Sequence, residues 1–171
     1  GDEGCDGPAI TPDGRWVAFW SHATNLVTGD SNGFWDVFRH DRTTGATIRV
    51  SVGSAGAEMN VEDTTAWERP AISADGRYVA FRADATNLVG SDTNGVADIF
   101  VRDIQSNVTS RVSVDSSAAQ ADGESRWPAI SADGRFVAFA SMAGNLVAGD
   151  TNALWDIFVH DRTSGATTRV S

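Results

Sequence analysis

The sequence predicts an all-β protein built from three copies of a four-stranded antiparallel unit. Three observations lead there. First, the stretch Gly29-Asp30-Ser31-Asn32-Gly33-Phe34-Trp35-Asp36-Val37-Phe38 returns as Ser91-Asp92-Thr93-Asn94-Gly95-Val96-Ala97-Asp98-Ile99-Phe100. It returns again as Gly149-Asp150-Thr151-Asn152-Ala153-Leu154-Trp155-Asp156-Ile157-Phe158. Recurrence at this spacing marks a structural unit. Second, the apolar residues alternate with period two and never shift to a 3.6 period. Third, the chain is rich in Val, Ile, Thr, Ser, Gly, Asp and aromatics and poor in Lys, Glu, Leu and Met, which is strand rather than helix usage.

The unit edges follow from what flanks the stretch. Upstream come Pro-Ala-Ile, Asp-Gly-Arg, an apolar segment and Asn-Leu-Val; downstream come an Asp, a turn and Arg-Val-Ser. The units are 8–51, 70–113 and 128–171, of equal length without internal gaps, and the connectors are 1–7, 52–69 and 114–127. Length differences fall only in the connectors, as expected of stacked modules. The chain reads as a whole number of units cut at one point of the repeat, a single half-propeller domain if each unit is a blade.

In the first unit, Pro8 to Thr11 is a short strand, where Pro at the start need not donate a hydrogen bond. Asp13-Gly14 is a tight turn, with Gly supplying the positive φ. Arg15 to Trp20 is the second strand, with Val17 and Phe19 on one side and Trp16, Ala18 and Trp20 on the other. Both sets are apolar, so the sheet is covered on both faces. A long loop follows, pinned by Leu26 and Val27. Asp36 to His40 is the third strand, Asp41 to Gly45 a hairpin turn and Ala46 to Ser51 the fourth strand. Four short antiparallel strands in a meander make one propeller blade.

The run Pro-Ala-Ile-Ser-Ala-Asp-Gly-Arg-(Tyr/Phe)-Val-Ala-Phe, with Asp-Ile-Phe-Val-x-Asp and Arg-Val-Ser behind it, resembles the TolB-type, WD-like propeller repeat. All three units match over nearly the whole chain. Thr11-Pro12 departs from it in the first unit and Ala153 in the third. The resemblance implies a propeller, often six-bladed. It implies no single activity, since relatives serve as partner-binding modules, as gating domains of peptidases and as enzymes.

Three such blades make half a ring, and the two end blades then expose faces that should pack on neighbours. The expectation is a head-to-tail homodimer closing a six-bladed ring. A piece of a longer array, and an engineered or reconstructed half-propeller with no ligand, are the alternatives.

Thirteen basic against 23 acidic residues give a formal net charge of −10. That balance disfavours nucleic acid and anionic membrane as partners, and no apolar run approaches the ~20 residues of a membrane span. The single cysteine, Cys5, excludes an internal disulfide and is expected as an unpaired residue in a flexible head. The resemblance and the acidic balance suggest an exported, periplasmic or extracellular, bacterial protein.

The acidic loops are the first candidate site. Asp30, Asn32 and Asp36, then Asp92, Asn94 and Asp98, then Asp150, Asn152 and Asp156 share the spacing Asp-x-Asn-x-x-x-Asp. Calcium takes several oxygen ligands, and such a turn can supply carboxylate, amide and carbonyl oxygens. The pattern lacks the closing Glu of an EF-hand. The other reading is that Asp and Asn cap turns through hydrogen bonds to backbone.

Positions that differ between matching units form a second candidate, a ligand rim for protein, peptide or glycan. They include Trp20 and Arg82, His22 and Asp84, and the connector tryptophans Trp67 and Trp127. His40 and His160 are expected at surface strand ends, and Arg15, Arg77 and Arg135 are expected to pair with nearby acids. Two function classes result: a non-enzymatic, calcium-stabilised binding module, and a propeller hydrolase with a metal or acid/His site at the central channel.

Overall fold

A computed structural model describes residues 1–62 and 68–171. The first sheet runs β1 Cys5–Ile10, β2 Trp16–Ser21, β3 Asp36–Asp41 and β4 Thr47–Arg49. The second runs β5 Ala71–Ile72, β6 Tyr78–Ala83, β7 Asp98–Asp103 and β8 Val108–Arg111. The third runs β9 Ser125–Ile130, β10 Phe136–Ser141, β11 Asp156–Asp161 and β12 Thr167–Arg169. Each sheet is an antiparallel meander with its strands in chain order. These are the three blades expected. Among the described residues there is no helix, and hence none long and apolar enough to cross a membrane.

The period-two pattern places one residue set on each face of a blade. In the second blade Val79, Phe81 and Phe100 pack against Ala18, Trp20, Val37 and Val50 of the first. The intervening residues Ala80, Ile99 and Val101 face Val137, Phe139 and Phe158 of the third. A phenylalanine pair sits at the same register in each sheet, Phe19 opposite Phe38, Phe81 opposite Phe100 and Phe139 opposite Phe158. Their ring centroids are 6.0 Å apart in all three. The first strand of the second blade lies against the first strands of both neighbours, so β1, β5 and β9 form the inner edge of the array.

Blades also interlock at the Asp-Gly turns. Trp16 of the first blade lies under the turn at Gly76 of the second, and Tyr78 lies under the turn at Gly134 of the third. A Cβ on Gly76 would meet Trp16 Cδ1 at 2.3 Å, and one on Gly134 would meet Tyr78 Cδ2 at 2.1 Å. Arg39 stacks on Trp16 at 3.9 Å and donates to the Gly76 carbonyl at 2.6 Å. At the same end Arg15, Arg77 and Arg135 each grip an aspartate with two hydrogen bonds, Asp41, Asp103 and Asp161 respectively. That pairing was expected. It holds all three carboxyls well below the usual carboxylate range.

Two expectations are corrected. Cys5 is not in a loose head: it opens β1, and its Sγ contacts Ser21 Oγ at 3.2 Å. His160 is not at the surface: it is buried, with Nδ1 2.9 Å from Thr167 Oγ1. Burial comes first in holding its imidazole below the ordinary range, with Arg162 adding to it.

The turn glycines carry a direct test. Gly76→Ala and Gly134→Ala combine a positive φ with a clash against a neighbouring ring, and each is expected to cost about 2–4 kcal/mol in urea melts. Gly45 has the same sign of φ and open space around it, so Gly45→Ala is expected to cost only about 1 kcal/mol.

Candidate functional site

Topology puts the acidic loops and the connectors on one side of the array. The loop between the second and third strands leaves from the end where the next blade's first strand begins, and hydrogen bonds tie the two. Ser31 donates to Glu58 through its N–H at 2.9 Å and through its hydroxyl at 2.6 Å. Thr93 N–H donates to Gln120 at 3.2 Å, and Asp122 N–H to Asn145 at 3.1 Å.

Within each loop the two aspartates converge, and what they converge on is an arginine. Arg49 Nη1 lies 3.1 Å from Asp30 and 3.4 Å from Asp36, and also contacts Glu58. Arg111 Nη1 lies 3.2 Å from both Asp92 and Asp98. Arg169 Nη1 lies 3.0 Å from Asp150 and 3.6 Å from Asp156. A serine completes each clasp: the hydroxyls of Ser51, Ser113 and Ser171 donate to Asp36, Asp98 and Asp156. These arginines and serines belong to the Arg-Val-Ser that ends each unit. The sequence reading used that motif only as an edge. Its equal recurrence with the acidic loop was the signal that could have joined the two.

The asparagines do not point their oxygens at the clasp. The Oδ1 atoms of Asn32, Asn94 and Asn152 accept from backbone N–H two residues on, at Phe34, Val96 and Leu154. Asn94 and Asn152 turn their amide N–H toward Asp98 and Asp156 at 2.9 and 2.8 Å. Among the described residues no group of three or more His, Cys, Asp or Glu is arranged to hold a metal ion. Burial, outweighing the Ser51 and Arg49 contacts, pushes the Asp36 carboxyl up to about 6. At Asp156 the hydrogen bonds from Ser171 and Asn152 come first and the carboxyl is lowered.

The rim candidates separate. Trp20 does not reach the rim: it is 1% exposed, and its indole N–H donates to the Glu68 carbonyl at 2.8 Å. Arg82 is also buried, forked onto Asp84 at 3.0 Å and Glu124 at 3.0 Å. Arg126 continues this network to Glu124 at 2.7 Å. His22 pairs with Glu3 at 2.6 Å and sits edge-on to Trp35. Trp67 lies outside the described residues. Trp127 is the rim residue that is plainly displayed. It is 58% exposed, its ring lies 5.5 Å from that of Trp155, and its N–H donates to Glu68 at 2.8 Å. Its φ is +54°, at a bulge in the pairing of β9 with β10. The first blade has Gly7 there, with φ +59°. A bulky residue in that region is strained.

No family model matches the chain, and no curated protein matches it. Solved structures do. TolB from Acinetobacter baumannii is 20% identical with a TM-score of 0.57, covering 99% of this chain and 32% of that one. A candidate TolB from Agrobacterium tumefaciens is 17% identical with a TM-score of 0.60, covering 96% and 45%. The fold is a TolB-like β-propeller fold. The β-propeller domain of the Trilobed protease from Pyrococcus furiosus, described as having an open velcro topology, is 14% identical with a TM-score of 0.56, covering 99% and 43%. The chain thus spans less than half the length of each of these propeller-containing chains.

Two outcomes are expected of the arginine clasp. Arg111→Ala strands two buried carboxylates and is expected to lower unfolding free energy by about 3–5 kcal/mol. Arg111→Lys recovers only part, because Arg111 also donates through Nη2 to the Ser91 carbonyl and lysine has no fork. The second concerns pH. The Asp36 carboxyl is raised from an ordinary 3.8 to about 6, so the folded state keeps a proton that the unfolded chain releases. That contribution is full below about pH 4 and lost as pH rises through about 6. In urea melts across this range, Asp36→Asn is expected to lack that decline relative to wild type.

Proposed function

We propose that this chain is a non-enzymatic propeller interaction module that holds a ligand against the inner rim of its loop face. The observation that carries the reading is Trp127: an exposed tryptophan kept at positive φ where the first blade has glycine. Strain of that kind persists when the surroundings and a use maintain it. Trp155 doubles the aromatic surface, and Arg126 lies 5.7 Å from the Trp155 ring. Flat aromatic faces beside charged groups suit a glycan or a peptide. Export is part of the same proposal and rests on the propeller likeness and the acidic balance.

In this reading the acidic loops are arginine-clasped turns that set the height of the rim. A calcium ion would have to displace the guanidinium from between the two carboxylates. Melting temperature is accordingly expected to be the same in millimolar calcium and in chelator; a clear rise with calcium would make the loops metal sites instead.

The module reading is tested on peptide and glycan arrays. Wild-type protein is expected to retain a ligand that Trp127→Gly binds at least about tenfold more weakly. Trp127→Gly is also expected to be about 1 kcal/mol more stable than Trp127→Ala, because it relieves the backbone. Equal binding by wild type and Trp127→Gly, or turnover of peptide or ester substrates by the purified protein, would overturn the reading.

A further inference from the structure

The connectors that leave the first and second blades begin with the same turn. Val52 pairs with Glu58 as Val114 pairs with Gln120. Ser54 Oγ donates to the Thr109 carbonyl and accepts from its N–H, as Ser116 Oγ does with Thr167. Thr109 Oγ1 donates to the Val52 carbonyl, and Thr167 Oγ1 to that of Val114. The turns differ at their second residue. One has Asp115, whose Oδ1 accepts from the N–H of Ser117 at 2.7 Å and from that of Ala119 at 2.8 Å. The other has Gly53. The equivalent N–H groups, those of Ala55 and Ala57, donate to none of the described residues.

Where one turn holds a carboxylate, the other borders a hollow. Its volume is about 330 Å³, at the small end of ligand pockets, and its lining includes Gly53, Ser54, Ala55, Ala57, Leu88 and Thr109. Two of these accept hydrogen bonds from a cation that has no counter-ion. Arg102 is buried, and its guanidinium donates to the carbonyls of Gly53 and Asn107, to Thr109 Oγ1 and to Asn107 Oδ1. It pairs with no carboxylate among the described residues; the adjacent Asp103 is gripped by Arg77. A buried charge is ordinarily paired. The third blade has His160 at this register, and burial holds that imidazole below the ordinary range. One joint therefore has a carboxylate beside a neutral ring, and the other a permanent cation with no carboxylate.

We infer that this hollow binds a carboxylate carried on a short aliphatic body. The N–H groups of Ala55 and Ala57 hold it in the place that Asp115 fills in the next turn, and Arg102 supplies the balancing charge. The chemistry is one the molecule already uses on itself, two backbone N–H groups on one carboxylate oxygen. Leu88 and the two alanines give the aliphatic body an apolar wall. A free short-chain acid and the C-terminal residue of a peptide both carry this group. Thr109 belongs to β8, at the opposite edge of the second sheet from β5, so the site stands apart from the inner rim and is independent of the reading built on Trp127.

The test follows the amide proton shifts of Ala55 and Ala57 in the whole chain during titration. Propionate probes the free acid, and acetyl-Ala-Ala with a free C-terminus probes the peptide end. At least one is expected to move both amides downfield and to saturate at roughly millimolar concentration; the tighter of the two names the source. Propionamide and acetyl-Ala-Ala-amide are expected to move neither. Gly53→Asp supplies the carboxylate from the chain itself. It is expected to shift both amides downfield with no probe present and to weaken either acid at least about tenfold. A Cβ there would stand 3.3 Å from the Asn87 carbonyl oxygen, so Arg102→His, which adds no atom to the turn, is the second variant. It is expected to weaken the tighter acid about fivefold. No saturable shift with either acid, an equal response to acid and amide, or an affinity unchanged in either variant would each overturn the inference. Trp127→Gly is expected to bind the acids as wild type does, so loss of the array ligand and loss of carboxylate binding are read separately.

Discussion

A four-stranded sheet with apolar residues on both faces has to be sandwiched. Everything else in this molecule follows from that constraint. In the second blade, Val79 and Phe81 face one neighbour while Ala80 and Ile99 face the other, and all four are covered. Burying such side chains is worth roughly 1.5–3 kcal/mol each, and an isolated blade could not offset the ordering entropy of its strands without them. The glycine turns serve the same constraint: they let a turn of one blade approach within van der Waals reach of an aromatic ring on the next.

The clasp solves a second problem created by stacking. Connectors and acidic loops crowd one end of the array, where an excess of carboxylates would repel. One arginine from the end of each fourth strand sits between the two aspartates of its own loop, and a serine hydroxyl takes the remaining oxygen of the inner aspartate. The cation is covalently part of the repeat, so it recurs with the loop. The same unit thus supplies both the charge and its partner, and the loop face becomes a firm support for residues that differ between blades.

Those differing residues are where the blades stop being interchangeable. Trp20 became core and Arg82 became the buried centre of a part-exposed acid network, although both occupy one position of the repeat. Trp127 was left exposed on a strained backbone. A repeat scaffold tolerates such divergence because each position at the inner rim meets a different neighbour.

Much of this was legible in the residues. Strand order, two-faced burial and the Arg–Asp pairs at the turns are local or periodic features, set by alternation, by Gly and Pro chemistry and by short spacings. The resemblance to the TolB-type repeat pointed to the same fold. The acidic loop was legible as a recurring turn, but not what its carboxylates meet. Arg49 lies 19 positions beyond Asp30 in the chain, and only the return of the fourth strand beside the third brings it back. His160 likewise read as peripheral because its partner Thr167 comes from another strand. The sequence by itself determined the blades and their count, since hydrophobic period and turn chemistry act within a few residues. The tertiary structure alone decided which charges neutralise which and which tryptophan is displayed, because those depend on how the blades stack.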